Sequence, residues 1–359
     1  MKETKIIKID PVTPEKHLIE EAANILSSGG LVAFPTETVY GLAAVMTSDL
    51  AIEKLNDLKK RNQDKKFSIG INEIRQAEEL AEDIPPFAYR LMRRFWPGPL
   101  TLVLQAKDET TVGLRMPDHP VAQMLLREVG SPVFLPSANF SGEEPPLCAE
   151  DVLKSLGGYI DAVIDSGRVK WGIASTVCEV SGSRYKILRS GVVREEMIKA
   201  AAKHKTILFV CTGNSCRSAM AEGIIKNALA GYPFINIQSA GVAAYEGMPA
   251  SQEAVRVMAR QSIDISRHGA RRLTDEMIKE SDMILVMEPG HKRHILMRFP
   301  NAEKRVFLLK EFALENEEEN PMIPDPIGMD ERFYDQVALI LKRSIEGLVA
   351  KLHEDRDWQ

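Results

Sequence analysis

No apolar run in these 359 residues reaches the roughly 18 that a membrane-spanning helix needs, so no such span is expected. Cysteine is scarce. The four present, Cys148, Cys178, Cys211 and Cys216, are too few for a disulfide framework in so long a chain, and they point to a reducing cytoplasm. A net charge of −5 argues against coating nucleic acid through bulk charge. Stripes of interleaved aromatic and basic residues, which a single-strand binder would carry, are also missing. The first residues, Met1-Lys2-Glu3-Thr4-Lys5, do not open a signal-peptide core. No internal repeat is visible. The one biased segment, Glu315–Asn320, reads as a solvated acidic loop.

What is present is an ordinary globular composition, 44% hydrophobic and 27% charged, in a chain too long for one core. Two domains are expected, 1–200 and 205–355, joined through the polar helical stretch Glu195–Lys205. The first half mixes short strand-like runs (Leu31–Phe34, Leu100–Leu104, Val133–Leu135, Ala162–Ile164) with helical patterns (Pro14–Ser28, Ile52–Lys60, Phe87–Phe95). That pattern predicts a mixed α/β domain around a twisted sheet. In the second half, strands Thr206–Cys211, Ile235–Ser239, Met283–Val286 and Val306–Leu308 alternate with helices near Ala219–Leu229, Gln252–Arg260 and His291–Arg298. A last helix covers Glu331–Leu352. This order predicts a doubly wound parallel sheet with its site at the strand C-terminal ends.

The most informative stretch is Cys211-Thr212-Gly213-Asn214-Ser215-Cys216-Arg217-Ser218, set between a buried strand and a helix start. Backbone N–H groups of such a turn, with the helix N-terminus, bind a phosphate dianion. Gly213 is expected to let the loop turn tightly. Arg217 can clamp two phosphate oxygens. The positive surroundings are expected to lower the Cys211 pKa and make it a nucleophile that forms a phosphocysteine. Asp325, stiffened between Pro324 and Pro326, is the candidate general acid.

Residues from about Thr206 to Leu352 resemble a low-molecular-weight protein tyrosine phosphatase through Val210–Ser218, Ser239-Ala240-Gly241 and Asp325-Pro326. The resemblance implies Cys211 as nucleophile, Arg217 as clamp and Asp325 as acid. Asn214 and Ser218 then support the loop and the thiolate, and Cys216 can form a protective reversible disulfide with the nucleophile. Ser215 stands where phosphotyrosine members carry a larger apolar residue and where the branch resembling protein-arginine phosphatases carries Thr. A hydroxyl there suits a phosphoguanidinium, so phosphoarginine stands beside phosphotyrosine as a substrate. An arsenate reductase on the same fold is an alternative, but this half holds no third cysteine for the electron relay.

The first half gathers cations and small polar groups at predicted strand ends, a set suited to a phosphate-rich ligand together with a zwitterion or carboxylate. Its motifs are Phe34–Leu42, Lys59-Lys60-Arg61, Trp96–Thr101, Thr111–Pro117, Pro136–Gly142, Ala174–Val177 and Ile187–Gly191. Lys59 and Arg61 are placed at a helix exit, facing one cleft. Residues 1 to about 200 resemble the YrdC family of threonylcarbamoyl-AMP synthases, with the K-x-R and S-x-N pairs as hallmark. The resemblance implies condensation of L-threonine, bicarbonate and ATP, with Mg²⁺, to threonylcarbamoyl-AMP and pyrophosphate. The product is handed to the machinery that makes threonylcarbamoyladenosine in tRNA.

By the same resemblance, Thr36, Arg115 and Ser175 belong to the threonine end. Lys59, Arg61, Lys65, Thr111, Ser137, Asn139 and Arg189 belong to the nucleotide end. The sequence departs from the family pattern at Asn62, Gly70 and Ser190, where Pro, His and Pro are usual. An RNA-binding module and the carbamoyl-transfer domain of hydrogenase maturation factors are the alternatives; the latter sits beside zinc-finger motifs, and no C-x2-C pair occurs here. His291 and His294 read as surface histidines, Trp96 as core, and Cys148 and Cys178 as inert fillers.

Overall fold

The computed structural model describes residues 3–60, 66–108, 110–313, 321–355 and 358. Arg61, Lys65 and the acidic segment Glu315–Asn320 therefore lie outside the described residues. The chain divides into two compact units, Met1–Lys199 and Ala200–Gln359. Among the described residues no helix is long and apolar enough to cross a membrane.

The first unit is built on a ten-stranded mixed sheet. Its strands run, edge to edge, Lys5–Lys8, Ala162–Asp165, Val32–Phe34, Gly41–Val45, Val133–Phe134, Ile69–Gly70, Thr111–Arg115, Leu100–Gln105, Thr176–Ser181 and Arg184–Arg189. The strand period of two sorts one short run onto both faces. Val32 and Phe34 join the helices Lys16–Ser27 and Pro120–Val129. Leu31 and Ala33 join the helices Asp49–Lys59 and Ala149–Leu156 on the other side. A strand buried on both faces must be apolar throughout, as this one is. Trp96 is buried, its indole N–H donating to the Leu100 carbonyl at 2.7 Å.

The second unit has a four-stranded sheet, all parallel, in the order Ile235–Gly241, Lys205–Cys211, Met283–Val286, Val306–Leu308. The same alternation operates. Ile207, Phe209 and Cys211 face the helices Arg217–Ala228, Gln252–Arg260 and Glu331–Glu354. Leu208 and Val210 face the other layer, where Ile278 and Ile295 come from the helices Asp275–Glu280 and Pro289–Arg298. Helices on both faces make the expected doubly wound α/β architecture. Cys211 ends the central strand, so the turn after it opens at the strand C-terminal edge.

Candidate active sites

In the second unit the phosphate loop is inverted by its surroundings. Carbonyl oxygens of the loop accept hydrogen bonds from outside: Cys211 from Val242 N–H, Thr212 from Ala243 N–H, Ser215 from Ser251 N–H and Asn214 from the His268 ring. Carbonyls turned outward leave the loop's N–H groups free to converge inward, where an anion would sit. One of them, Asn214 N–H, already points at Cys211 Sγ, 3.2 Å away. Asn214 itself takes the left-handed turn, at φ 54°, and Gly213 does not. The expectation for Gly213 is thereby corrected, since a Cβ there would meet only Ser215 Oγ at 3.5 Å. Glycine is demanded instead at Gly241, where a Cβ would lie 2.5 Å from the Thr212 carbonyl and 2.9 Å from Asn214 N.

Asn214 is fully buried and ties the loop together. Its Nδ2 donates to Ser218 Oγ at 2.9 Å and to Ser239 Oγ at 2.8 Å, and its Oδ1 accepts from Arg271 N–H at 2.7 Å. Ser218 Oγ lies 2.9 Å from Cys211 Sγ. Arg217 is 2% exposed, yet it reaches Asp325 at 2.5 Å, Glu288 at 3.4 Å and the Ile323 carbonyl at 3.2 Å. Both carboxylates sit where a phosphate would compete for the guanidinium.

The Cys211 thiol is pushed up by burial, which Ser218, the backbone N–H groups and Arg217 only partly oppose. This reverses the expected lowering. The fork of Arg217 is turned to Asp325 and Glu288, and its charge lowers the thiol pKa by less than burial raises it. Cys216 is buried beside Tyr334 Oη (3.3 Å) and Ser251 Oγ (3.5 Å), and all four cysteines are free thiols. Ser215 is half-buried, with Cys216 Sγ at 3.7 Å as its hydroxyl's only hydrogen-bond partner among the described residues. His291, expected on the surface, is 3% exposed and lies 3.0 Å from Thr212 Oγ1.

In the first unit the candidate residues form three networks. Arg115, 7% exposed, donates from one Nη2 to Thr38 Oγ1 (2.7 Å), Glu37 Oε1 (2.8 Å) and Thr36 Oγ1 (3.4 Å). Glu37 Oε2 accepts from Asp118 N–H at 3.0 Å. The Arg115 Nε is buried with no partner among the described residues. Glu37 and Thr38 thus hold Arg115 and join the candidate site residues, although the motifs alone did not single them out. Their signal was present, in a carboxylate and a second hydroxyl inside the strand-end run Thr36-Glu37-Thr38.

Ser175 and Arg189, assigned to opposite ends, touch each other. Arg189 donates to the Ser175 carbonyl at 2.9 Å and to its Oγ at 3.0 Å, and Ser175 Oγ pairs with Thr101 Oγ1 at 2.9 Å. Gly191 permits this approach, because a Cβ there would lie 2.3 Å from the Ala174 carbonyl.

The third network gathers around Lys59, 4% exposed, whose Nζ donates at 2.6 Å to the carbonyls of both Ser137 and Asn139. Ser137 Oγ donates to Asn139 Oδ1 at 2.6 Å, and Asn139 Nδ2 to the Glu143 carbonyl at 2.6 Å. Lys59 is therefore a brace for the Ser137–Asn139 turn. Thr111 is exposed at its strand start, and its side chain makes no hydrogen bond to this group among the described residues. Burial raises the Cys178 thiol to about 12, which suits an inert filler.

A family model named for Sua5, YciO and YrdC, with the description "Telomere recombination", matches residues 24–191. The low molecular weight phosphotyrosine protein phosphatase model matches residues 206–357. Threonylcarbamoyl-AMP synthase of Bacillus subtilis is 40% identical over 201 residues, which are 53% of this chain and 58% of that protein. The chain spans about three-fifths of the length of two of these synthases, 58% of that protein and 64% of its Pyrococcus abyssi counterpart. A probable low molecular weight protein-tyrosine-phosphatase, EpsP of Ralstonia solanacearum, is 38% identical over 148 residues, 41% of this chain and 96% of that protein.

Two solved structures of Pyrococcus abyssi Sua5 align as well. One, a variant, has 30% identity and a TM-score of 0.51 over 72% of this chain and 90% of that one. The other, a complex with L-threonine, has 26% identity and a TM-score of 0.53 over 85% and 99%. The chain belongs to both families, its first half to the Sua5/YciO/YrdC family and its second half to the low molecular weight protein tyrosine phosphatases.

Proposed function

We propose that the first unit condenses L-threonine, bicarbonate and ATP to threonylcarbamoyl-AMP and pyrophosphate, and that the product is consumed by tRNA-modification machinery. The observation that carries the reading is the buried, half-used Arg115. A guanidinium with Nη2 tied to protein and Nε left without a partner is prepared to take a ligand carboxylate. The Sua5 complex with L-threonine makes threonine the fitting carboxylate.

Thr36 and Ser175 would line the same end, with Glu37 holding Arg115. Lys59, Ser137 and Asn139 form the braced turn for the nucleotide, and Arg61, Lys65, Thr111 and Arg189 would complete it. Placement in a closed pocket does most of the work, because carbamate and mixed anhydride are both lost to water. No group of three or more His, Cys, Asp or Glu able to hold a metal exists among the described residues. Mg²⁺ would therefore arrive on the ATP phosphates, which is its usual mode, and no protein cage is invoked. Pyrophosphate release that needs threonine, bicarbonate and ATP together tests the assignment, and release independent of threonine refutes it. Ser137→Ala is expected to lose activity.

The second unit is proposed to hydrolyse phosphoprotein through a Cys211 phosphocysteine. The thiolate attacks phosphorus, Asp325 protonates the leaving group, and water then cleaves the S–P bond while Arg217 holds the oxygens. No metal is called for. The nearly unengaged Ser215 hydroxyl favours a phosphoguanidinium as substrate beside phosphotyrosine, since an N–H-rich leaving group can donate to it. Ser215→Ile is expected to lose activity on phosphoarginine peptides and keep it on phosphotyrosine peptides. An unchanged preference sinks that choice.

A further inference from the structure

His291 stands in the first turn of the helix Pro289–Arg298, three residues after Glu288, so both side chains share one face. Its Nε2 lies 3.0 Å from Thr212 Oγ1 and 3.3 Å from Glu288 Oε1. Its Nδ1 is buried without a partner among the described residues. These contacts favour one tautomer, whose single N–H is directed to Thr212 Oγ1, the partner in hydrogen-bond geometry, with the Glu288 carboxylate beside it. A carboxylate only accepts, so its nearness to Nε2 favours the tautomer with the proton there. The other tautomer would set a lone pair against Glu288 and strand an N–H in the interior. Burial also keeps the ring neutral, with its pKa down to about 4 among Glu288, Arg217, Asp325 and His294.

Thr212 Oγ1 then receives two donors, His291 Nε2–H and, at 3.5 Å, Arg217 Nη2. Its lone pairs are engaged, and no protein acceptor for its own proton exists among the described residues. Thr212 is also exposed, at the mouth of a loop whose carbonyls are taken up from outside and whose Asn214 N–H points at Cys211 Sγ.

We propose that His291 is a positioning residue which, braced by Glu288, turns the Thr212 hydroxyl into a hydrogen-bond donor to a phosphoryl oxygen in the loop. The inference rests on the phosphatase reading and adds a side-chain donor to it. Glu288 links this device to the clamp, since its other oxygen lies 3.4 Å from Arg217 Nη1.

A double-mutant cycle on the full chain tests it. Thr212→Val, His291→Leu, the double variant, His291→Gln and Thr212→Ser are compared in p-nitrophenyl phosphate hydrolysis and in calorimetric binding of inorganic phosphate. Thr212→Val and His291→Leu are each expected to lose about five- to tenfold in kcat/KM, one neutral hydrogen bond's worth, and to weaken phosphate comparably. The double variant should lose no more than the worse single one, because His291 acts only through Thr212. His291→Gln, which keeps an N–H donor, should recover most of the loss, and Thr212→Ser nearly all.

Additive losses, a silent Thr212→Val, or a Gln variant no better than Leu would overturn the inference. A wild-type chain that hydrolyses no phosphate ester refutes the phosphatase reading instead, and the phosphate-binding cycle still decides the role of His291. Should His291→Leu fail to fold, Thr212→Val against Thr212→Ser, with His291→Gln, decides it.

Discussion

Replacing Glu37 by Gln probes how the first unit holds its cation. Arg115 and Glu37 are a buried pair at 2.8 Å, their side chains 8% and 3% exposed, so water screens them little. Gln keeps one carbonyl for Arg115 Nη2 but removes the compensating charge. Its amide N–H₂ also meets Asp118 N–H, where Glu37 Oε2 had accepted at 3.0 Å, so a donor faces a donor. Breaking one side of a buried ion pair costs about 3–5 kcal/mol, and the retained hydrogen bond favours the lower end. For a unit of this size about 3 kcal/mol lowers the melting temperature by roughly 6–12 °C. Calorimetry of the full chain should show the loss in the transition that L-threonine with ATP shifts upward. The KM for threonine should rise in parallel, because an unanchored Arg115 presents its Nε poorly. A melt within 1 °C of wild type (about 0.3 kcal/mol on the same scale) with an unchanged KM would refute the view that Glu37 sets Arg115.

Three further outcomes concern the second unit. Asp325→Asn should cut kcat on alkyl phosphates about a hundredfold or more while phosphate binds at least as well, since Arg217 loses the nearer of its two carboxylates; a kcat within about threefold excludes Asp325 as the acid. Ser218→Ala removes a hydroxyl that favours the Cys211 thiolate, so the acid limb of the pH–rate profile should move to higher pH; an unmoved limb leaves Ser218 without that role. His291, whose pKa falls from its ordinary 6.5 to about 4, is neutral in both states above pH 6.5. Between these values only the unfolded chain takes the proton, so stability should fall with falling pH by up to about 3 kcal/mol. His291→Gln should flatten that slope in denaturant titrations, and an unaltered slope would place it elsewhere.

The phosphate loop was legible because it is local. Strand, eight consecutive residues and helix start carry the geometry in their order, and Arg217 needs only its spacing from Cys211. The four strands of the second sheet were legible for a similar reason, being short apolar runs separated by helices. Other features were not. The left-handed residue is Asn214, because Ser218 within the loop and Ser239, His268 and Arg271 outside it saturate its amide and carbonyl. Spacing alone favours the glycine next to it.

By itself the sequence determined two α/β units, a cysteine–arginine phosphate loop in one and a set of cations and hydroxyls in the other. Tertiary structure decided how those groups are used. Arg115 meets Glu37 across 78 residues, His291 meets Thr212 across 79, and Arg189 closes on Ser175 from a neighbouring strand. It also turned the expected low Cys211 pKa upward, by burying the sulfur more deeply than Ser218, the backbone N–H groups and Arg217 offset. Turns and periodicities act over a few residues and are written in their order. Burial and long-range pairing depend on which strands lie side by side, and residue spacing carries no record of that.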